Sequence, residues 1–540
     1  MGIPSYYKKL CSAIRNLRSR SVSSVDWFFM DFNCLIYHCL HRADTPVYNG
    51  INMDSHNVWE TQFIECIVTY CRKVIQQVAP KKGVYIAIDG VVPMAKMRQQ
   101  RLRRFKSVWL KGMATATATQ GWDTLNRVEA TASIWDTLNR VGAVAPTWDT
   151  NAITPGTHFM TKLRIRLETL VNSHPTWHLS SSDEPGEGEH KIMAEWRRGV
   201  YQGNFAVYGL DADLVVLSLL GRSMCSLDKI WLFREEIDKG VMAYDNMGEE
   251  IFEWFSIHAL SDWLCTGQTD TSQFILNYCF AMSVLGNDFL PSSLGFKIRD
   301  NGHDDLITII QVLTARGLHL IDATTCEIRM EGVNALFARL AADEPQRILQ
   351  AIIKKKKQSY NCDMTGLGEN NWPLAQMEEN ILLGYKDTLS LTWKDTYCKI
   401  LTTTVDKCCK EYLYGMQWVW SYYTGANVCF NWYYPFSLPP LYESLTLVTG
   451  VNKPVTPTHI ICLRAEDIRP VEQLALVLPL QSWSLIPLTA VKERLLPRLA
   501  PQFYPTVFSF DSMGKRFFWE CEAMIPMPSM LEVKMIIASH

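Results

Sequence analysis

Glu187 and Glu189, in the run Asp183-Glu-Pro-Gly-Glu-Gly-Glu-His-Lys191, are followed some twenty residues later by Asp211 and Asp213 in Tyr208-Gly-Leu-Asp-Ala-Asp213. Each pair is spaced i, i+2 and bordered by apolar residues. Three further acids close short apolar runs: Asp31 in Trp27-Phe-Phe-Met-Asp31, Asp89 in Val84-Tyr-Ile-Ala-Ile-Asp89, and Asp288 in Phe280-Ala-Met-Ser-Val-Leu-Gly-Asn-Asp288. Like charges brought close raise each other's pKa and call for a compensating cation. Carboxylates alone, without Cys or His at zinc spacing, suit Mg²⁺ or Mn²⁺. Seven of them can hold two ions, which together activate water and clamp the attacking and leaving oxygens of an in-line phosphoryl displacement. No Walker-type loop and no Ser/His/Asp or Cys/His arrangement competes for the role of catalytic centre.

A phosphate-recognising element sits close by in the chain. The run Val92-Pro-Met-Ala-Lys-Met-Arg-Gln-Gln-Arg-Leu-Arg-Arg-Phe-Lys106 contains no acid, and it predicts a helix beyond Pro93. Lys96, Gln100, Arg103 and Arg104 then fall at i, i+4, i+7 and i+8, one face of that helix, while Arg98 and Arg101 point elsewhere. A solvated basic face is the ordinary account of such a run. Its start just after an acid-terminated strand favours a phosphate-binding face.

The elements that must position these groups are legible in outline. Continuous apolar runs ending in an acid, separated by helical stretches, read as buried parallel strands of an α/β sheet. Such sheets bind ligands beyond the carboxyl ends of their strands. A single Asp there is best explained as a helix N-cap, but four or five in one chain point to a shared site. Residues 111–152 differ in character. They are Ala/Thr-rich, and Trp122-Asp-Thr-Leu-Asn-Arg-Val128 recurs as Trp135-Asp-Thr-Leu-Asn-Arg-Val141, with a partial copy at Trp148-Asp-Thr150. A thirteen-residue offset turns about 140° on a helix, so the copies share no face. They read as a duplicated surface insertion without chemistry of its own. Lys354–Lys357 reads as a solvated surface run. From about residue 396 the chain is aromatic-rich, which usually means core and can also furnish a base-stacking wall.

At 540 residues the chain exceeds one typical domain. A net charge of −2 carries no global polyanion signal, so nucleic acid must be met by a local basic patch. The 16 cysteines form no CxxC pair, which fits a reducing compartment. The N-terminus has no apolar h-region, the myristoylation pattern fails at Tyr6, and no apolar run reaches membrane-spanning length. A cytoplasmic protein is expected. Taken together, the residues predict a metal-dependent phosphodiesterase acting on nucleic acid.

Several blocks resemble the XRN 5′→3′ exoribonucleases, in that family's order. They are Met1-Gly-Ile-Pro4, Asp31-Phe-Asn33, Ala87-Ile-Asp-Gly-Val91, Gln99-Gln-Arg-Leu-Arg-Arg-Phe105, Ile153-Thr-Pro-Gly-Thr157, Pro185-Gly-Glu-Gly-Glu-His-Lys-Ile-Met193, Tyr208-Gly-Leu-Asp-Ala-Asp-Leu214 and Gly286-Asn-Asp-Phe-Leu-Pro291. Gly415-Met-Gln-Trp-Val419, Trp432-Tyr-Tyr-Pro435 and Gly514-Lys-Arg-Phe517 extend the likeness over nearly the whole chain. The resemblance implies a PIN/flap-nuclease-like, mostly parallel central sheet flanked by helices, with a helical and aromatic-rich C-terminal region packed on it. Residues 1–110 and 153–290 would form the catalytic core, 111–152 an insertion in place of a tower helix, and 291–540 a second region enclosing the site.

The activity implied is processive 5′→3′ degradation of 5′-monophosphorylated single-stranded RNA to nucleoside 5′-monophosphates. All seven acids would bind two Mg²⁺ or Mn²⁺ ions, and Lys96, Gln100, Arg103 and Arg104 the 5′-phosphate. A family His that stacks on the first base is replaced here by Tyr37, which keeps the ring and loses the imidazolium charge. Trp432 is a candidate second stacking residue, with structural core the competing account. A decapping or pyrophosphohydrolase enzyme is the kind of partner that would supply such RNA ends; no membrane is involved and a monomer is expected. The chain lacks the additional C-terminal regions of large family members and a CCHC zinc knuckle, so a compact catalytic core is expected. A flap-type DNA nuclease and a catalytically silent RNA-binding scaffold are the alternatives. The first lacks its helix–hairpin–helix stretch and the second should have lost metal acids, none of which is missing.

Overall fold

The computed structural model describes residues 5–50, 52–120, 147–209, 211–238, 241–361, 371–448, 461–487, a few positions between 491 and 499, and 502–538. A seven-stranded sheet lies at its centre. Its strands are β1 (Arg18–Ser19), β2 (Trp27–Asp31), β3 (Gly83–Ala87), β4 (Trp177–Ser180), β5 (Asn204–Tyr208), β6 (Lys229–Glu235) and, after the small β7 (Ile237–Asp238)/β8 (Val241–Met242) ribbon, β9 (Phe252–Ser256). Their order across the sheet is β1-β9-β6-β5-β2-β3-β4. The β6-β5-β2-β3-β4 block is parallel throughout; at one edge β9 runs against it, and β1 pairs antiparallel with β9. The expected mostly parallel α/β sheet is the one observed.

The continuous apolar runs have a direct physical reason. Side chains alternate faces along a strand, and here both faces are covered. Phe28 and Met30 of β2, Val84 and Ile86 of β3, and Ala206 and Tyr208 of β5 enter one core. Phe29, Tyr85, Ala87, Phe205 and Val207 enter the other. After α1 (Tyr6–Ala13), helices α2 (Phe32–Leu40), α3 (Met53–Val78) and, beyond α4 (Met94–Gln120), α5 (His158–Asn172) contribute to the first core. Helices α6 (Gly188–Arg197) and α7 (Asp213–Met224) contribute to the second.

The chain runs outward from β2 to β3 and β4 on one side, and from β5 to β6 on the other. The topological switch point therefore lies between β2 and β5, where such sheets open a crevice at their carboxyl ends. The fourth acid-bearing run ends differently: helix Thr271–Ala281 passes into a 3₁₀ turn, Met282–Leu285, before Asp288.

Helix α4 begins at Met94, just after Pro93 as expected, and separates its charges by face. Arg101 is fully buried against the C-terminal region. It donates to the Leu476 carbonyl at 2.7 Å and to the carbonyls of Phe503 and Pro526, and it lies over the rings of Phe105 and Tyr504. One guanidinium thus ties α4 to three places in the C-terminal region. Arg101→Ala should cost about 3 kcal/mol or more, because it empties a packed site and strands buried carbonyls. A thermal melt that did not move would contradict that role.

Two features depart from expectation. Trp148, in the partial third repeat, is buried among Trp59, Phe63 and Phe159 and donates to Glu60 Oε1 at 3.2 Å. The end of the 111–152 stretch is therefore part of the core, not surface; both full repeat copies lie outside the described residues. The Lys354–Lys357 run also does more than face water. Lys355 is buried and pairs with buried Glu379 at 2.7 Å, while Lys354 and Lys356 pair with Asp300 and Asp387. The described cysteines are free thiols. Among the described residues no helix is long and apolar enough to cross a membrane.

Candidate active site

Asp31 ends β2, Asp89 follows β3 by two residues and Asp211 follows β5 by three, so three adjacent strands deliver three carboxylates to the switch point. Helix α6 adds Glu187 at its N-cap and Glu189 in its first turn, and α7 begins with Asp213. The fit is close. A Cβ at Gly188 would come within 2.7 Å of Asp31 Oδ1 and 3.0 Å of the Ala87 carbonyl, so only glycine lets α6 approach the strand ends. The Gly188 N–H in turn donates to Asp89 Oδ1 at 2.7 Å. Asp288 sits in a turn that Asn287 organises by accepting from the N–H groups of Phe289 and Leu290, both at 2.9 Å.

A cavity of about 510 Å³ opens here. Asp31, Asp89, Glu187, Glu189, Asp211 and Asp288 are among its lining residues, and so are Lys96, Gln100, Arg103, Arg104 and Tyr37. Asp213 lies behind this wall, 3% exposed, and its Oδ1 has no hydrogen-bond partner among the described residues. Ligand atoms of Glu189, Asp211 and Asp213 lie within 4.8 Å of one another, as do those of Glu187, Glu189 and His190. Glu189 belongs to both groups. Six of the seven predicted acids thus share a cavity wall, and the seventh joins through its neighbours.

The electrostatics are those of a site short of positive charge. Burial first, then Asp89 and Asp211, pushes the Asp31 carboxyl well above the usual range. Burial and Asp213 do the same to Glu189, and burial with Asp211 and Asp288 takes Asp213 up to about 7. Burial works against the Lys96 ammonium, but Asp288, Glu187 and Glu189 outweigh it and hold its pKa well above normal. Lys96 Nζ sits 2.5 Å from Glu187 Oε2 and 2.9 Å from Asp288 Oδ2. It stands between the acids and the rest of the basic face. An oxygen-rich, crowded donor set with an unsatisfied buried carboxylate oxygen fits hard divalent cations.

Further along the basic face, Arg104 is buried and its Nη1 has no hydrogen-bond partner among the described residues; Gln100 Oε1 is in the same state. Burial lowers the Arg104 pKa to about 10, which leaves it charged at neutral pH. Arg103 is exposed at the cavity edge. Tyr37 is half-buried on the cavity wall, where a base could meet its ring.

Trp432 requires correction. It is 1% exposed, donates to Glu411 Oε2 at 3.0 Å, and packs against Trp418 and Tyr414. A ring enclosed on both faces cannot stack on a base, so Trp432 is core.

Sequence reasoning also missed several supports. Asn33 donates to Asp89 Oδ2 at 2.9 Å and accepts from the Asp89 N–H, fixing one acid from the start of α2. Its place two residues after Asp31 was the available signal. Helix Val405–Thr424 sends Tyr422, whose hydroxyl donates to Glu187 Oε1 at 2.9 Å and whose ring lies 3.8 Å from that of His190. No signal in sequence links Tyr422 to Glu187, 235 residues away. Tyr422→Phe should lower turnover roughly tenfold while leaving the melting temperature nearly unchanged, as for other groups that orient a ligand-bearing carboxylate. Unchanged turnover would reduce Tyr422 to packing.

Residues 1–236 match the family profile described as the XRN 5′-3′ exonuclease N-terminus, and residues 384–535 match the one described as the Xrn1 helical domain. Human 5′-3′ exoribonuclease 1 is 24% identical over 97% of this chain and 33% of its own length. Chicken 5′-3′ exoribonuclease 2 is 25% identical over 93% of this chain and 63% of its own length. The chain belongs to the XRN family. It spans about a third to two-thirds of these relatives; for the fission-yeast 5′-3′ exoribonuclease 1 the share is 47%, at 24% identity. The first XRN match contains six of the seven acids and the whole basic face. The second contains Tyr422, so the hydroxyl on Glu187 joins the two matched regions directly.

Proposed function

We propose that this chain is a processive 5′→3′ exoribonuclease that degrades 5′-monophosphorylated single-stranded RNA to nucleoside 5′-monophosphates. The observation that carries this reading is the single cavity in which a carboxylate cluster faces the buried end of a basic helix. The names of the relatives support the same direction of attack and the same substrate class. Arg104 and Gln100, with unsatisfied buried polar atoms, would grip the terminal phosphate, and Arg103 would close over its outer side. A phosphate so held puts the first phosphodiester over the acids, which defines the end that is cut. Tyr37 would stack on the first base.

Asp31, Asp89, Glu187, Glu189, Asp211, Asp213 and Asp288 would hold two Mg²⁺ or Mn²⁺ ions. Bound there, such ions supply Lewis-acid activation of water and neutralise charge on the phosphoryl group. Asn33 and Tyr422 keep Asp89 and Glu187 oriented, and Lys96 moderates repulsion among the acids. We assign residues 1–110 and 153–290 to the catalytic unit and 291–540 to the region that encloses it, with 111–152 inserted between. The protein acts as a cytoplasmic monomer on RNA ends produced by decapping or pyrophosphohydrolase enzymes.

The test uses RNAs that differ only at the 5′ end. With Mg²⁺, 5′-monophosphate RNA should release mononucleotides, while 5′-hydroxyl and capped RNAs should resist. Equal release from 5′-hydroxyl and 5′-monophosphate ends would overturn the assignment of the basic face. Internal cutting of a DNA flap would replace the reading altogether.

A further inference from the structure

Helix α4 has a second cavity against its neighbouring flank, of about 430 Å³, within the ~300–1,000 Å³ range of small-ligand sites. It adjoins the active site, because Gln99, Arg103 and Asp288 line both spaces. Six basic side chains line it against three acidic ones. Several of the cations serve the walls. Arg98 pairs with Glu522 at 3.1 Å, Arg299 pairs with Glu520 at 2.5 Å, and Lys106 donates to the carbonyls of Trp519 and Cys521. Arg103 and Lys515 make no ion pair within 4.0 Å among the described residues; Arg103 acts at longer range on Asp211, and Lys515 on Asp511 and Glu522. The crowding acts on Lys297: burial first, then Arg299 and Lys515, lower its ammonium pKa to about 7. As carboxylates pressed together call for a cation, ammonium and guanidinium groups pressed together call for an anion. The same cavity presents an aromatic surface, with Trp519 49% exposed and stacked at 5.9 Å on Phe517.

We propose that this cavity binds the nucleoside 5′-monophosphate leaving the active site, its phosphate held by Arg103 and Lys515 and its base stacked on Trp519. The inference rests on the exonuclease reading for the source of the ligand, but not for the binding itself. A mononucleotide carries the two features that the cavity matches, a dianionic phosphate and a flat ring. Arg103 faces both spaces, so the nucleotide's own 5′-phosphate, released from Arg104 and Gln100, need not cross solvent to reach Lys515, while the phosphate cut at the acids stays on the remaining RNA as its new 5′ end. A separate route for product would let the remaining RNA advance before the nucleotide has gone, which suits stepwise digestion.

The test is calorimetric titration of the full chain with AMP, adenosine and inorganic phosphate in a metal-free buffer. AMP should still bind the Arg104→Ala protein, in which the competing phosphate grip of the active-site cavity is weakened. Lys515→Glu should weaken AMP tenfold or more, and Lys515→Arg should restore it. Trp519→Ala, at an exposed position that leaves the core intact, should weaken AMP and spare inorganic phosphate. Affinity that falls with Arg104→Ala but ignores Lys515→Glu and Trp519→Ala would put the nucleotide in the active-site cavity and overturn the proposal. Adenosine binding as tightly as AMP would overturn it too. No cleavage enters the measurement. A protein inert on RNA that still binds AMP through Lys515 would therefore sink the nuclease reading alone, and active protein without that binding would sink only this one.

Discussion

Glu189→Gln should abolish RNA cleavage, by at least about 10³-fold in turnover, with no loss of stability. Glu189 is the acid common to both groups of close ligand atoms, so neutralising it weakens both candidate ion positions at once. Asp213→Asn, at a residue in one group only, should act on one position. The stability half of the prediction follows from the sign of the pKa shift. Burial and Asp213 hold the Glu189 carboxyl well above its usual range, so its charge opposes folding in metal-free protein. An amide of the same shape removes that penalty, and the metal-free melting temperature should stay level or rise. The wild type should gain thermal stability when Mg²⁺ or Mn²⁺ is added, by linkage of binding to folding, and the variant should gain much less. Retained turnover, or an unaltered metal-induced shift, would remove Glu189 from the metal site.

Arg104→Ala should lower kcat/KM on 5′-monophosphate RNA by about 10- to 100-fold, the range expected when charge-assisted hydrogen bonds of roughly 1.5–3 kcal/mol are lost. Activity on 5′-hydroxyl RNA, already low, should barely change, so discrimination between the two ends collapses. Arg104 is buried with an unsatisfied Nη1 and its pKa is lowered by that burial, so the charge is held there at a cost that a bound phosphate would offset. Arg104→Lys should recover only part of the effect, since an ammonium cannot reproduce a two-pronged contact. Preserved end discrimination in Arg104→Ala would transfer phosphate recognition to other groups in the cavity.

Much of this site could be read in one dimension because strands and helices have fixed periods. A buried parallel strand must be apolar on both faces, so Trp27–Asp31, Val84–Asp89 and Phe205–Asp211 stood out, each with its acid at the end where sheets bind ligands. A helix repeats every 3.6 residues, so spacing alone puts Lys96, Gln100, Arg103 and Arg104 on one face and Arg101 on another. The separation proved physical: the first group lines the cavity, and Arg101 is buried among backbone carbonyls of the C-terminal region.

Composition misled where burial depends on distant partners. Trp432 carries the same indole as any stacking platform, and only the packing of Trp418 and Tyr414 around it makes it core. Trp148 and Lys355 depart in the other direction: Trp148 is enclosed by Trp59, Phe63 and Phe159 with Glu60 on its indole N–H, and Lys355 is buried against Glu379.

The amino-acid sequence by itself determined the sheet, the seven acids, the basic face and the family, because these depend on local period and residue type. Tertiary structure alone decided that Lys96 bridges Glu187 and Asp288, that Tyr422 orients Glu187, and that Asp213 stands behind the cavity wall. It also decided that α4 separates two cavities that meet at Arg103. Those relations join residues brought together only by folding, and hydrogen bonds and charge interactions act over a few ångströms of space, whatever the separation along the chain.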